Sequence, residues 1–396
     1  MNNYLKGFIV FIIALVALLY VLKITAPDPK FNLATFEETP LQSGILPTAD
    51  GWTLAQTVVA NGSVRTLLVT NFDADSVSAI DLKSVGGAES TNPFEVFASF
   101  TEQELAGLVN DESLSQSFAF SALVSVAGNA DRHLAIGTNF PEHAEEAQSD
   151  SVFNFPKFGV ATPARTSVDW IEGGLLDYEV ELCLRFDRPI QSLEDFDAAS
   201  KGFFLCGDFT ERATLLRLID TDNLDSGTGF SDGKSGPGFF PSGALLVIPH
   251  DWQSFITNER MTTAMNGEPR QDARGGEMIY DFRALTSKVL SDMDKPRFLF
   301  KDDYVKLAPS NQIDQDMILM SGTSEGVIFT TPTRADFINA LFTYIRNGAM
   351  FEEASLYDTA IESFLGSEYK SGHFMQPGDQ IEFNSSSLGN IVVDVE

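Results

Sequence analysis

The chain has 396 residues, of which 43% are hydrophobic and 11% aromatic, enough for a sizeable core in two or three domains. Its formal net charge is −30, from 56 acidic and 26 basic residues, and a field of that sign repels nucleic acid, so we exclude nucleic-acid binding. Two cysteines and four histidines are too few for a disulfide scaffold or for a zinc site, so any metal should be bound by oxygen.

Residues 7–22 form an unbroken apolar run with a lysine on either side. The run predicts a transmembrane anchor over residues 1–26, because flanking lysines can reach the membrane surface. The alternative is a cleaved signal peptide, although Pro27 follows the best cleavage site and usually blocks cleavage. The short N-terminal tail carrying Lys6 favours a single-pass anchor with the body in the periplasm or elsewhere outside the cytoplasm.

Residues 27–48 have the mixed polar composition of a tether, and residues 49–130 that of a small β-rich N-terminal module. Within this module, two apolar runs flank an Asn61-Gly turn and predict a β-hairpin. Thr101 is predicted to cap a helix, because Glu104 follows it three residues later. The module carries no pattern that indicates chemistry.

Residues 131–396 alternate short apolar runs with Gly, Asp and Pro turns, which predicts an α+β domain that is mainly β. Its first chemical pattern is His143 with Glu146, which are neighbours if the segment is helical. A carboxylate beside an imidazole orients it and raises its basicity, as a general base requires. The pair is equally typical of an exposed acidic helix turn.

Glu179 and Glu181 alternate with apolar residues and therefore share one face of a predicted strand. Two adjacent carboxylates repel each other unless a cation joins them, although an exposed edge strand gives the same pattern. Asp208 ends the next apolar strand, one turn before Arg212, where it is either a third ligand or a helix cap. Three such carboxylates would suit Mg²⁺ or Mn²⁺, with Ca²⁺ also possible.

Two further segments carry candidate substrate contacts. Lys234 follows an Asp-, Gly- and Ser-rich stretch, residues 220–233, which we interpret as a flexible surface or lid loop, and it is placed to approach an oxyanion. Thr323 lies in a Gly-rich turn after a buried strand. Such a turn can offer its hydroxyl and backbone N–H groups, including that of Gly322, to a carboxylate.

The order of these motifs resembles the fumarylacetoacetate hydrolase family from about residue 137 to the C terminus. The motifs are H-x-x-E, D-Y-E-x-E-L, G-D-x-x-x-R, G-K-S, N-G-E-x-R-Q, S-G-T-x-x-G-V and P-G-D-x-I-E. The resemblance implies a mixed β-roll with a partly open barrel, normally dimeric, so we expect a homodimer.

The resemblance also implies roles for individual residues. Glu179, Glu181 and Asp208 match the metal ligands, His143 and Glu146 the pair that activates water or takes a proton, Lys234 and Arg212 the cations that stabilise an enolate or oxyanion, Thr323 and Gly322 contacts to the substrate carboxylate, and Lys157 a residue at the mouth of the site. Leu215 replaces a Gln of close relatives and Ala213 an acidic residue, so the substrate is not inherited.

The implied function is a divalent-metal-dependent hydrolase that cleaves a C–C bond in a small acylpyruvate-type (2,4-dioxo) carboxylate through a metal-stabilised enolate. The same residues would serve a 2-oxo acid decarboxylase or a 2-hydroxydienoate isomerase or hydratase. A non-catalytic module that binds a dicarboxylate through the metal is a further alternative. The His143–Glu146 pair argues against it, because binding alone needs no base.

The two cysteines, Cys183 and Cys206, each lie two residues from a predicted ligand. They would pair if their strands were adjacent and the compartment oxidising. We predict two buried free thiols instead.

Overall fold

The computed structural model describes residues 3–26, 32–73, 75–348 and 355–396. Its helices are α1 (Asn3–Ile24), α2 (Pro93–Phe97), α3 (Glu102–Val109), α4 (Pro141–Glu146), α5 (Leu193–Ala198), α6 (Arg212–Leu218), α7 (Phe230–Gly233), α8 (Trp252–Asn258), α9 (Phe282–Asp292), α10 (Arg334–Arg346) and α11 (Leu356–Ser371). The predicted cap is present before α3, where Thr101 and Glu104 form a reciprocal capping box.

The strands lie in two large sheets and two short ribbons. They are β1 (Gly51–Val58), β2 (Val64–Asp73), β3 (Ser76–Asp81), β4 (Gln116–Ala119), β5 (Arg132–Gly137), β6 (Phe153–Phe158), β7 (Arg165–Val168), β8 (Leu176–Asp177), β9 (Val180–Phe186), β10 (Lys201–Gly207), β11 (Thr210–Glu211), β12 (Leu245–Pro249), β13 (Arg260–Met265), β14 (Glu268–Arg274), β15 (Phe298–Phe300), β16 (Asp303–Val305), β17 (Leu319–Met320), β18 (Gln380–Ser385) and β19 (Asn390–Val395).

Helix α1 is the predicted apolar segment. Its span Tyr4–Ile24 has the length and the hydropathy to cross a membrane, and none of it is buried against the rest of the chain. A membrane anchor and a signal sequence both have these properties.

The larger sheet has ten strands in the order β4-β3-β2-β1-β12-β10-β9-β17-β5-β6. The predicted hairpin is β1 and β2, joined across the Asn61-Gly turn with Val58 opposite Val64. Because β1 also pairs with β12, the N-terminal strands continue the sheet that holds β9 and β10. One hydrogen-bonded sheet therefore spans both predicted units.

The second sheet has five strands in the order β14-β13-β18-β19-β7, and β8 with β11 and β15 with β16 form the ribbons. The fold is thus mixed α and β with large sheets. Among the described residues the strands close no barrel.

Strand β9 lies between β10 and β17, and every one of its residues is buried. The interpretation of the Glu-x-Glu pattern as an exposed edge strand is therefore wrong. Glu181 lies directly opposite Cys206 of β10, so these two side chains share one face of the sheet. The carboxylates are thus delivered into the interior.

The prediction of free thiols is also wrong, because Cys183 and Cys206 form a disulfide with a Cα–Cα distance of 6.0 Å. Cys183 is opposite Phe204, so the bridge runs diagonally between the antiparallel strands β9 and β10. Both cysteines are completely buried. The register of the two strands, which the sequence alone does not specify, places the sulfur atoms together.

Thiol titration of the denatured chain without reductant should therefore find no free cysteine, and two after reduction. The bridge closes a loop with a sequence separation of 23 residues, for which the loss of chain entropy corresponds to about 3 kcal/mol of stability. The double variant Cys183→Ala/Cys206→Ala should lose roughly that amount in urea denaturation. Two reactive thiols in the untreated protein would contradict the pairing.

Glu259 gives the fold a pH dependence. Burial raises its pKa to about 7, although Ser387 and its neighbours donate hydrogen bonds to the carboxylate. The folded state then binds this proton more tightly than the unfolded state, so stability falls as pH rises from about 4.5 to 7. Glu259→Gln should raise the free energy of unfolding at pH 8 by roughly 2–3 kcal/mol and change it little at pH 4.5.

Urea denaturation at both pH values measures this difference. Glu89→Gln is the matched control, because that carboxylate is exposed. Equal changes for Glu259→Gln at pH 4.5 and pH 8 would rule out a buried proton.

Candidate active site

The structure brings the three predicted metal ligands together. Glu179 immediately precedes β9, Glu181 is its second residue and Asp208 follows β10, and the Asp208 N–H donates to the Glu179 carbonyl over 2.9 Å. All three side chains are buried, and one carboxylate oxygen from each lies within 4.8 Å of the others. Like charges this close need a cation.

Two lysines supply part of that charge. The Lys234 Nζ lies 2.7 Å from Glu179 Oε2 and 2.9 Å from Asp208 Oδ2. The Lys157 Nζ donates to the other oxygen of Asp208 over 2.6 Å. Burial lowers the pKa of Lys234, but the charges of Asp208 and Glu179 outweigh this effect and raise it, so the ammonium stays charged.

Arg212 at the start of α6 bridges two acidic residues. Its Nε donates to Asp177 Oδ2 and its Nη2 to Glu179 Oε1, each over 2.8 Å. Burial opposes ionisation of Glu179, but the charges of Lys234 and Arg212 outweigh it and lower the pKa to about 2. Glu179 is therefore an anion with both oxygens engaged.

Glu181 differs from its neighbours because no described lysine or arginine forms an ion pair with it. Its Oε2 accepts from the Gly322 N–H over 2.9 Å, while its Oε1 is buried without a hydrogen-bond partner among the described residues. Burial raises its pKa well above the ordinary range, and the charges of Asp208 and Glu179 raise it further. A divalent cation among the three carboxylates would compensate this charge, and an all-oxygen donor set fits Mg²⁺, Mn²⁺ or Ca²⁺.

His143 and Glu146 lie on α4 as the spacing predicts. The His143 Nδ1 lies 3.0 Å from Glu146 Oε2, and the other oxygen of Glu146 accepts from the Gly326 N–H over 3.0 Å. Donation by Nδ1 leaves Nε2 as the basic nitrogen. The carboxylate is held from two sides and so keeps the imidazole in one orientation.

One pocket reaches the His143–Glu146 pair and, of the three carboxylates, Glu179. It is lined by His143, Glu146, Glu179, Arg212, Lys234 and Thr323 on its polar side. Its volume of about 80 Å³ exceeds the roughly 10–15 Å³ that one water molecule needs. The attacking water of a hydrolysis therefore fits beside the base and the carboxylates.

The resemblance implies that Lys157 lies at the mouth of the pocket, but the structure places it elsewhere. It is completely buried on β6, where its Nζ contacts Asp208 and the Lys234 carbonyl. Because β6 is a strand of the ten-stranded sheet, the side chain reaches the carboxylates from within the fold. Lys157 holds Asp208 in place rather than meeting substrate.

Residues of the Gly-rich turn also form hydrogen bonds with Glu181 and with the backbone next to it. The Gly322 N–H donates to Glu181. The Thr323 hydroxyl donates to the Val180 carbonyl and accepts from Gln271 Nε2, and each of these three hydrogen bonds is 2.9 Å long. Thr323 still lines the pocket. Its contact with a substrate carboxylate stays a prediction.

Sequence reasoning missed Asp177 as a residue of the site. This carboxylate is completely buried and accepts from Arg212 and from the backbone N–H groups of Ile328 and Phe329. It therefore ties the pocket-lining segment around Phe329 to the arginine. The signal was present as the first residue of the D-Y-E-x-E-L motif, which had been given no role.

Comparisons with known proteins agree with this fold. The family described as fumarylacetoacetate (FAA) hydrolase C-terminal matches residues 132–396. Among solved structures, 2-hydroxyhepta-2,4-diene-1,7-dioate isomerase from Mycobacterium marinum is similar with a TM-score of 0.51 and 14% identity, over 87% of this chain and 98% of its own. Fumarylacetoacetate hydrolase from Exiguobacterium antarcticum has a TM-score of 0.51 and 16% identity, over 87% and 99%. At these identities the likeness shows the fold, and no curated protein matches the sequence.

Proposed function

We propose that this chain, which belongs to the fumarylacetoacetate hydrolase family, is a divalent-metal-dependent hydrolase. Its substrate would be a small acylpyruvate-type (2,4-dioxo) carboxylate. Enzymes of this family, hydrolases and isomerases among them, act on small carboxylates and commonly use divalent metals. The observation that carries the proposal is the uncompensated Glu181 carboxylate beside an oriented His143–Glu146 pair. The Glu181 carboxylate needs a cation, and the His143–Glu146 pair provides a base.

In the proposed reaction, His143 Nε2 takes a proton from water while Glu146 holds the ring. The resulting hydroxide adds to the distal carbonyl carbon, and the C–C bond breaks to release a carboxylic acid and the enolate of pyruvate. Lys234 and Arg212 stabilise the negative charge that develops on oxygen. The protonated His143 then returns its proton to the enolate carbon.

A divalent cation held by Glu179, Glu181 and Asp208 would supply Lewis acidity toward the 2-oxo carboxylate group. The acidic residues would hold it, and Lys157 and Lys234 would position Asp208.

An isomerase or decarboxylase would use the same pocket without the water. The likeness of the fold to a structure described as an isomerase favours the isomerase over the decarboxylase. A purely binding function is disfavoured because the oriented base would serve no purpose in it.

Turnover measurements on the full chain in detergent test the proposal. Acylpyruvates, oxaloacetate and 2-hydroxydienoates are supplied with Mn²⁺, with Mg²⁺ or with a chelator. We expect acylpyruvate hydrolysis that the chelator abolishes. Turnover of a hydroxydienoate alone would indicate the isomerase, and hydrolysis unaffected by the chelator would contradict a metal-dependent reaction.

We further propose that α1 anchors a homodimer in a membrane with the body outside the cytoplasm. The disulfide supports this placement, because disulfides persist in oxidising compartments.

The Asn32 amide donates to the backbone of Val327 and Phe329, both of which line the pocket. Asn32 follows Ile24, the last residue of α1, by eight positions, so the pocket would lie within about 28 Å of the membrane.

A further inference from the structure

The pocket is also lined by apolar side chains, which we call the apolar wall. The wall comprises Ile136, Phe153, Leu215, Ile219, Leu224 and Phe230. The Phe153 and Phe230 rings pack with centroids 4.6 Å apart, and the Phe153 ring lies against Gly137 so closely that a Cβ there would be 2.1 Å from it. The wall is therefore a packed surface rather than an incidental group of side chains.

Lysine and arginine side chains near this wall are already paired. Within the described lining of the pocket they are Arg212 and Lys234, and both form ion pairs with buried carboxylates. A second carboxylate on a substrate would therefore find no unpaired cation among the described lining residues.

We propose that the substrate is a monocarboxylate whose acyl tail is uncharged and apolar and lies against this wall. The inference rests on the proposed function for the placement of the carboxylate end. Leu215, Ile219 and Phe230 then determine specificity, because they exclude a charged tail and bury an apolar one. Each methylene buried there should strengthen binding roughly fourfold.

Calorimetry on the full chain in detergent with saturating Mn²⁺ tests this with two probes of equal length, 2-oxooctanoate and 2-oxooctanedioate. The first should bind about 100-fold more tightly, because a carboxylate without a partner is costly to bury. Ile219→Arg should reduce or reverse the preference, since Ile219 is a half-buried residue of the wall. Leu218→Arg is the matched control, because Leu218 is 41% exposed and does not line the pocket.

The outcomes separate the inference from the proposed function. Equal binding of the two probes, or tighter binding of the dicarboxylate, would overturn the apolar tail and leave the hydrolase proposal standing. A preference for 2-oxooctanoate without hydrolysis of any acylpyruvate would support the tail and contradict the reaction. Binding of neither probe would overturn the apolar tail, whereas the reaction is judged by acylpyruvate turnover.

Discussion

Replacing His143 by alanine is expected to lower acylpyruvate turnover by about 10²–10⁴-fold, the usual contribution of a general base. Its affinity for Mn²⁺ should change by less than about twofold, because the imidazole is hydrogen-bonded to Glu146 and the ligand set consists of three carboxylates. The loss should therefore appear in kcat. Steady-state kinetics at saturating Mn²⁺, with calorimetry of metal binding, measures both quantities.

Two variants serve as references for that experiment. His250→Ala removes a half-exposed imidazole that also pairs with a carboxylate, Glu102, and should leave turnover unchanged. Glu146→Gln should lose less activity than His143→Ala, because the amide oxygen still accepts from the imidazole. Full hydrolase rate in His143→Ala would mean that the water is activated elsewhere. Loss of hydrolysis with retained enolate tautomerisation would make the isomerase the better description.

Glu181→Gln is expected to weaken Mn²⁺ binding by at least about 100-fold, beyond the 10–100-fold that is typical when a residue only supports a ligand. Without metal, the variant should be at least as stable as the wild type. Glu181 makes no ion pair with the described residues, and the amide oxygen of a glutamine can still accept from the Gly322 N–H, so the substitution leaves no buried partner unpaired.

Asp208→Asn provides the contrast. It should also lose metal affinity, but it removes the partner of Lys157 and Lys234 and should cost roughly 3–5 kcal/mol of stability. Calorimetry with Mn²⁺ and urea denaturation in a chelator measure the two effects. Unchanged metal affinity in Glu181→Gln would remove that residue from the site.

Local patterns in the sequence predicted the elements that carry the site. Alternation placed Glu179 and Glu181 on one face of a strand, and the spacing of His143 and Glu146 put them on one side of a helical turn. These predictions succeeded because strand and helix periodicity are properties of neighbouring residues. The local patterns did not predict which distant residues those side chains contact in the fold.

Long-range pairing could not be derived in this way. Alternation does not say which strands become neighbours, so it left open the pairing of β1 with β12 and the diagonal bridge between Cys183 and Cys206. The family resemblance implied that Lys157 lies at the mouth, whereas its side chain on β6 reaches inward to Asp208. Asp177 acquires its role through Arg212 and through residues 328 and 329, the latter about 150 positions later.

Anomalous diffraction from crystals of the full chain grown with Mn²⁺ tests the central claim most directly. We expect one strong manganese peak among the three carboxylates, within ligand distance of Glu179, Glu181 and Asp208, with Glu181 Oε1 bound to it. A carboxylate site without a peak at saturating Mn²⁺, or a peak that these three residues do not contact, would contradict it.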